Sequence, residues 1–379
     1  MRRALCLLVL LLLPAEPASA RQEVPVLDPS GPAARAEAAR QANRPGEAIA
    51  LYREALASSP AWAEGWFHLG TLLYSRDDCA GAEAAFGKAI ALRPEAGSGW
   101  AMLGLCEFQL RKYDESLSSL QKAGELGVDP QLRHVIAYHE GRLLIGRDEF
   151  ERAQEVLGSL AADGVEDEAL LVALGRSVLR VGGVESPADR QVRRMLLAAG
   201  RAEHLAARKQ FDEAEREYGR LTGEFSDVRN VHYALGRYFA ATAQPDKAVA
   251  AYERELARFA DHVPALIGIA AIKAETQPSA ALPYAEQAVR LNPRVPLGRY
   301  VLGSLLLRTG DIDRAIVELE TAERSVREDP GLYYALSRAY SRAGREADAE
   351  RAQAEFTRLT EARQDAARRQ PEPPNADQR

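Results

Sequence analysis

The sequence predicts an all-α protein, a solenoid of stacked antiparallel helix pairs with one irregular break near residues 180–190. Three observations carry that prediction. The chain repeats itself at an interval of 34 residues: Ala48 to Ala82, Pro60 to Pro94, Trp66 to Trp100, Gly70 to Gly104, Ala214 to Ala248, Ala281 to Ala315 and Ala315 to Ala349 all share it. Within a period, apolar residues fall at helical spacing twice, around a polar turn: Trp66, Leu69 and Leu73, then Ser75 to Asp78, then Ala82, Phe86 and Ala89. With 46% hydrophobic and 27% charged residues, the chain of 379 also has the apolar surface to build a core.

Taken in order, Arg2 and Arg3 precede an apolar run from Ala4 to Leu13, and Ala18-Ser19-Ala20 then gives a small-x-small pattern. This reads as a secretory signal over 1–20, cleaved after Ala20, and predicts a periplasmic or secreted chain. Ten apolar residues rise only about 15 Å as a helix, half a bilayer core, which argues against a permanent anchor. No other stretch is long enough to span. Arg21 stands where a lipid-modified protein would have a cysteine. Residues 21–32 read as a linker, 33–185 as an amino-terminal repeat segment, 186–369 as a carboxy-terminal one, and 370–379, polar and proline-rich, as a disordered tail.

The register sets repeats at 29–62, 63–96, 97–130, 134–167, 195–228, 229–262, 263–295, 296–329 and 330–363. Small residues at Gly70, Gly104, Gly236, Ala82 and Ala89 let helices approach closely, aromatic residues fill the space beside them, and Pro94 ends a second helix for want of an amide donor. No unit can bury its own apolar face, so neighbours must stack. The first repeat lacks a large aromatic in its first helix, as suits a capping unit. Ser116 and Glu255 stand where a small alanine is expected. Between 168 and 194, Leu174-Gly175 restarts a first helix, but the interval is too short for a full pair and a second helix is shortened or lost. Gly182-Gly183 interrupts the chain. Ser186-Pro187-Ala188-Asp189 then reads as an N-cap, a proline in the first helical position and an acidic first turn, opening a long helix to about Lys209. The two segments should therefore meet near 180–190 in a bend or hinge, or in a rigid irregularity.

At these positions the chain resembles the tetratricopeptide repeat family. The unit 63–96 carries nearly the whole signature in Trp66, Leu69, Gly70, Ala82, Phe86, Ala89 and Pro94. The resemblance implies a right-handed superhelix whose first helices line a concave groove for extended peptides or partner helices. The Lys and Asn arrangement by which chaperone-binding members clamp a terminal carboxylate is not reproduced.

Motifs for catalysis are absent: there is no G-x-S-x-G elbow, phosphate-binding glycine loop, H-E-x-x-H or paired C-x-x-C, and little chain lies outside the repeats. The reading is a non-enzyme without cofactor or metal. A formal charge of −6 speaks against nucleic acid as partner. After the signal only Cys79 and Cys106 remain, too few for a disulfide scaffold; an oxidising compartment permits one bridge between them, and the alternative is two small buried residues. His134, His139 and Glu140 approach a metal cluster in sequence, but a five-residue spacing turns the two rings about 140° apart on a helix. Asp148, Asp212, Asp246 and Asp311 recur near the starts of second helices and read as caps.

With the buried positions removed, the first helices leave a stripe of Tyr and Arg: Tyr138 and Arg142, Arg176 and Arg180, Tyr233 and Arg237, Tyr300 and Arg308, and Tyr334, Arg338 and Arg342. Spacings of four and eight put each set on one helix face. Phenols give contact area at little entropic cost and guanidinium groups grip carboxylates bidentately. The stripe predicts a locally basic groove for protein or peptide partners, acidic ones in particular; the plainer alternative is long side chains solvating a helix face. The functional expectation is a non-catalytic interaction scaffold in the cell envelope. A second reading is an accessory subunit of a polysaccharide-export, pilus or secretion assembly, and a third an enzyme with a dispersed site.

Overall fold

The computed structural model describes residues 31–184 and 189–369. The predicted signal, nearly all of the linker, Ser186, Pro187, Ala188 and the tail lie outside the described residues. Among the described residues there are nineteen helices and no strand. They pair as α1 (Pro32–Gln41) with α2 (Pro45–Ser58), α3 (Ala63–Tyr74) with α4 (Cys79–Leu92), α5 (Gly97–Gln109) with α6 (Tyr113–Leu126), and α7 (Pro130–Gly146) with α8 (Phe150–Ala162). Then come α9 (Glu168–Val178), α10 (Arg190–Ala207) and α11 (Phe211–Glu224). The remaining pairs are α12 (Val231–Ala241) with α13 (Pro245–Arg258), α14 (Val263–Lys273) with α15 (Pro278–Leu291), α16 (Pro296–Thr309) with α17 (Ile312–Glu323), and α18 (Pro330–Arg342) with α19 (Glu346–Arg369). The chain divides into two compact units between Tyr218 and Gly219, inside α11. Within each unit the first helices of successive pairs also touch, α5 with α7 and α16 with α18 among them.

One turn recurs between paired helices. Asn43, Asp77, Arg111, Asp148, Lys209, Ala243, Gly310 and Gly344 all have positive φ, each two residues before a second helix. The next amide then reaches back five residues, as in Asp78 to the Leu73 carbonyl at 3.0 Å and Gln244 to Phe239 at 2.8 Å. This closes the first helix by a Schellman bond and aims the chain into the second. Asp148 is thus a turn residue rather than the predicted cap; Glu149 is the N-cap of α8. Asp311 does cap, accepting from the Arg314 amide, while Asp212 and Asp246 lie in first turns, where a negative charge suits the dipole.

The periodic residues meet as the 34-residue interval requires. Ala48, Ala82, Ala214, Ala248, Ala281 and Ala315 are fully buried, and Ala89 and Ala349 nearly so. A methyl group on Gly70 would lie 2.8 Å from the Phe86 ring, and one on Gly236 would lie 2.5 Å from Tyr252. Tryptophan and proline share the interval for a polar reason: the Trp66 and Trp100 indoles donate to the Pro60 and Pro94 carbonyls, both at 2.9 Å. Arg299 does the same to Pro293 at 2.7 Å. The two departures are also satisfied. Ser116 donates to the Gly104 carbonyl at 2.7 Å. Glu255, wholly buried, accepts from the amides of Asn230, His232 and Tyr233 at 2.7, 3.1 and 3.1 Å, and so caps α12 from the neighbouring helix. Burial pushes its carboxyl above the ordinary range, against the pull of those three amides.

The break takes a definite form. Arg180 repeats the positive-φ turn, with the Val181 amide on the Arg176 carbonyl at 2.8 Å, but no helix starts at 182. As the short interval predicts, α9 has no second helix of its own before α10 among the described residues. It packs on α10 instead, through reciprocal glycines: a Cβ on Gly175 would lie 1.9 Å from the Leu196 carbonyl oxygen, and one on Gly200 would lie 1.8 Å from that of Leu171. Backbone touches backbone there. This contact fastens 168–178 to 190–207 within the first compact unit, which runs to Tyr218. The long helix starts later than the sequence suggests, since Asp189 itself is the N-cap and accepts from the Val192 amide at 2.8 Å.

Candidate partner-binding faces

The stripe residues occupy equivalent positions on the first helices, yet the two units use them differently. In unit 2, α18 presents Tyr334, 48% exposed, with Arg338 and Arg342 exposed beyond it at intervals of one helical turn. The Arg338 guanidinium lies 5.7 Å from the Tyr334 ring centroid, and among the described residues no carboxylate comes within ion-pair distance of it. Arg342 donates to the Leu307 carbonyl at 2.6 Å, which draws α18 onto α16 beside Arg308. Arg308 is exposed, with Glu275 at 3.8 Å. Tyr300 is half-buried on the same helix, its phenol pushed up by burial, and Leu297, one turn earlier, is 56% exposed. The structure therefore brings together Tyr300, Arg308, Tyr334, Arg338 and Arg342. Tyr233 does not join them: it is buried, 5.7 Å from the Tyr252 ring and 4.9 Å from His262. Arg237 is half-buried.

In unit 1 the same positions are engaged internally. The Arg142 guanidinium lies 4.7 Å from the Phe108 ring and 5.6 Å from that of Tyr138, and donates to the Val184 carbonyl at 3.1 Å. Arg176, predicted to be exposed, is only 4% exposed: it donates to the Val181 carbonyl at 3.2 Å and to those of Gly182 and Gly183. Helical spacing puts it in register with the other stripe residues, but a loop folding back over it buries it. Arg180 pairs with Glu151 and stacks 4.8 Å from Phe150. The sequence reading missed Phe108 and the loop at 181–184 as partners of this stripe. The one available signal was the diglycine following Arg176.

The remaining candidates separate. His134 faces Asp163 at 3.3 Å on the surface, whereas His139 is buried edge-on to Phe108 at 4.5 Å. Burial and, after it, the Arg142 charge push the His139 ring down to about 3, so it stays neutral. Cys79 and Cys106 are not bridged to each other, and Cys106 is fully buried, its thiol pushed up by burial. No helix among the described residues is long and apolar enough to cross a membrane.

Comparison with known proteins agrees with this geometry. A tetratricopeptide repeat family model matches residues 33–78, 67–127, 199–263 and 267–333, together more than half of the chain. The protein belongs to the tetratricopeptide repeat family. The unmatched interval 128–198 includes α9 and the break. Among solved structures, MamA residues 41 to the end from Desulfovibrio magneticus RS-1 is 20% identical, covering 45% of this chain and 96% of that chain at a TM-score of 0.39. Another MamA crystal structure is 18% identical over 43% of this chain and 96% of that one, also at 0.39. The APC/C hetero-tetramer Cut9–Hcn1 is 14% identical over 86% of each chain, again at 0.39. No curated protein matches the chain.

Proposed function

We propose that the protein is an exported, non-catalytic scaffold that binds a protein partner through the α16–α18 face of unit 2, and that the partner presents an acidic segment to it. The observation that carries the reading is Arg338: a solvent-exposed guanidinium beside an exposed phenol, with no carboxylate within ion-pair distance among the described residues. Arginines nearby are paired, Arg314 with Glu286 at 3.0 Å and Arg299 with Glu318 at 2.6 Å. A desolvated guanidinium–carboxylate contact, flanked by Tyr334 and Leu297, is the chemistry of an interface hot spot. Export rests on the Arg2-Arg3, apolar and Ala18-Ser19-Ala20 pattern.

Crosslinking in the native cell, followed by identification of the captured chain, tests the reading. Arg338→Glu with Arg342→Glu should abolish the adduct, while Arg351→Glu on the exposed surface of α19 should leave it. Equal capture by all three forms would refute the face. Amino-terminal sequencing of the native protein checks export separately: the expected first residue is Arg21.

A further inference from the structure

Four consecutive carbonyls, Val181 to Val184, each accept from a guanidinium, three from Arg176 and one from Arg142. Both arginines sit where Arg338 sits in its own repeat, and Tyr138 sits where Tyr334 does. The loop is also held by shape. A Cβ on Gly146 would lie 2.5 Å from a Val184 methyl, so the valine side chain rests on a bare helix surface. A Cβ on Gly182 would lie 2.5 Å from the Asp148 carboxylate, and Gly183 has φ +90°. The loop crosses where a side chain would not fit. Most of this contact is main chain to guanidinium, so it reads backbone rather than side-chain identity.

We infer that residues 181–184 are a tethered ligand: unit 1 carries a main-chain-recognition site, built from Phe108, Tyr138, Arg142 and Arg176, for a short segment of small residues, and its own loop fills it. The site does not stand empty, because Arg176 is buried and a buried guanidinium stripped of its acceptors is strongly destabilising. It exchanges occupants instead. A partner segment offering the same run of carbonyls displaces the loop. This inference does not depend on the proposed acidic partner of unit 2, whose face is built from other residues.

The double variant Gly182→Val, Gly183→Val tests it. The first change drives a side chain into Asp148 and the second forbids the left-handed backbone, so the loop leaves while Arg142 and Arg176 remain. The probe is a fluorescent, end-blocked peptide of the loop's own sequence, Leu179 to Val184. It should bind the double variant saturably and the native protein at least about tenfold more weakly, since each charge-assisted hydrogen bond is of that order. Adding Arg142→Ala should weaken binding again, and adding Arg338→Glu should not, which separates this site from that of unit 2. A folded double variant that ignores the peptide, or a native protein that binds it equally well, overturns the inference. Should the double variant not melt cooperatively, Arg142→Ala alone decides. Tryptic cleavage after Arg180 should then rise by about tenfold through loss of one such bond, and an unchanged rate counts against a displaceable loop.

Discussion

Unit 1 and unit 2 carry arginine at the same register position of their first helices and spend it in opposite ways. Arg142 and Arg176 are consumed inside unit 1, stacked on aromatic rings or buried under a loop whose carbonyls they satisfy. Arg338 stands in solvent beside Tyr334. What differs is the chain around the residue rather than the residue itself. Unit 1 contains α9, a first helix without its own second helix, and the connection left over folds back across the face. Unit 2 has complete pairs, and nothing of its own among the described residues covers the α16–α18 face. A repeat position therefore defines a direction, and the neighbouring connection decides whether it is structural or available.

The sharpest way to break the comparison is at the crossing that makes unit 1 irregular. Gly175→Leu would push a side chain into the Leu196 carbonyl, with helix backbone on both sides and no flexible end to yield. We expect a loss of more than about 4 kcal/mol, in the class of severe overpacking. Chemical denaturation should show unit 1 unfolding early and unit 2 keeping its own transition. A single unshifted transition would mean the crossing is looser than the structure has it.

A second experiment compares the arginines directly. Arg176→Met leaves three carbonyls without their guanidinium and should cost about 3 kcal/mol in unit 1. Arg338→Met removes only an exposed stack and should stay within about 0.5 kcal/mol. Equal effects would erase the distinction between a structural and an available arginine.

The smallest effect concerns pH. His139 in unit 1 has its ring pushed down to about 3 by burial, with Arg142 the charged group facing it. The unfolded chain takes up a proton near its ordinary value, about 6.5, while the folded chain resists until about 3. Stability from this site is thus complete above 6.5 and falls as pH drops through that window, by on the order of 2 kcal/mol at pH 5. His139→Phe, close in shape and able to meet Phe108 edge-on, should flatten the acid slope of unit 1 and leave unit 2 unchanged. A slope that persists in the variant would assign it to other groups.

Much of this was legible in the sequence. The 34-residue interval located the buried alanines and the glycines under Phe86 and Tyr252, because each repeat solves the same packing problem with the same sizes of side chain. The missing second helix showed as a short interval, and Gly182-Gly183 as an interruption. Less legible was the start of α10, where Asp189 is the cap: Ser186 and Asp189 both carry capping side chains, and only the helix that packs selects one. Glu255 read as a misfit in an alanine position, since its three amide donors come from a different helix.

The candidate face divides the same way. Residue type and helical spacing alone put Tyr334, Arg338 and Arg342 on one side of a helix, as they did Tyr138, Arg142, Arg176 and Arg180. Both are local properties of the chain, written in its order. Whether such a side chain meets solvent, a ring or a run of carbonyls depends on segments distant in sequence that fold across it. Burial of Arg176 by the loop at 181–184, and the absence of any carboxylate near Arg338 among the described residues, were settled only when the helices packed. The sequence by itself thus determined the repeat and its directions, and the tertiary structure decided which directions stay open, because solvent access is a property of neighbours in space.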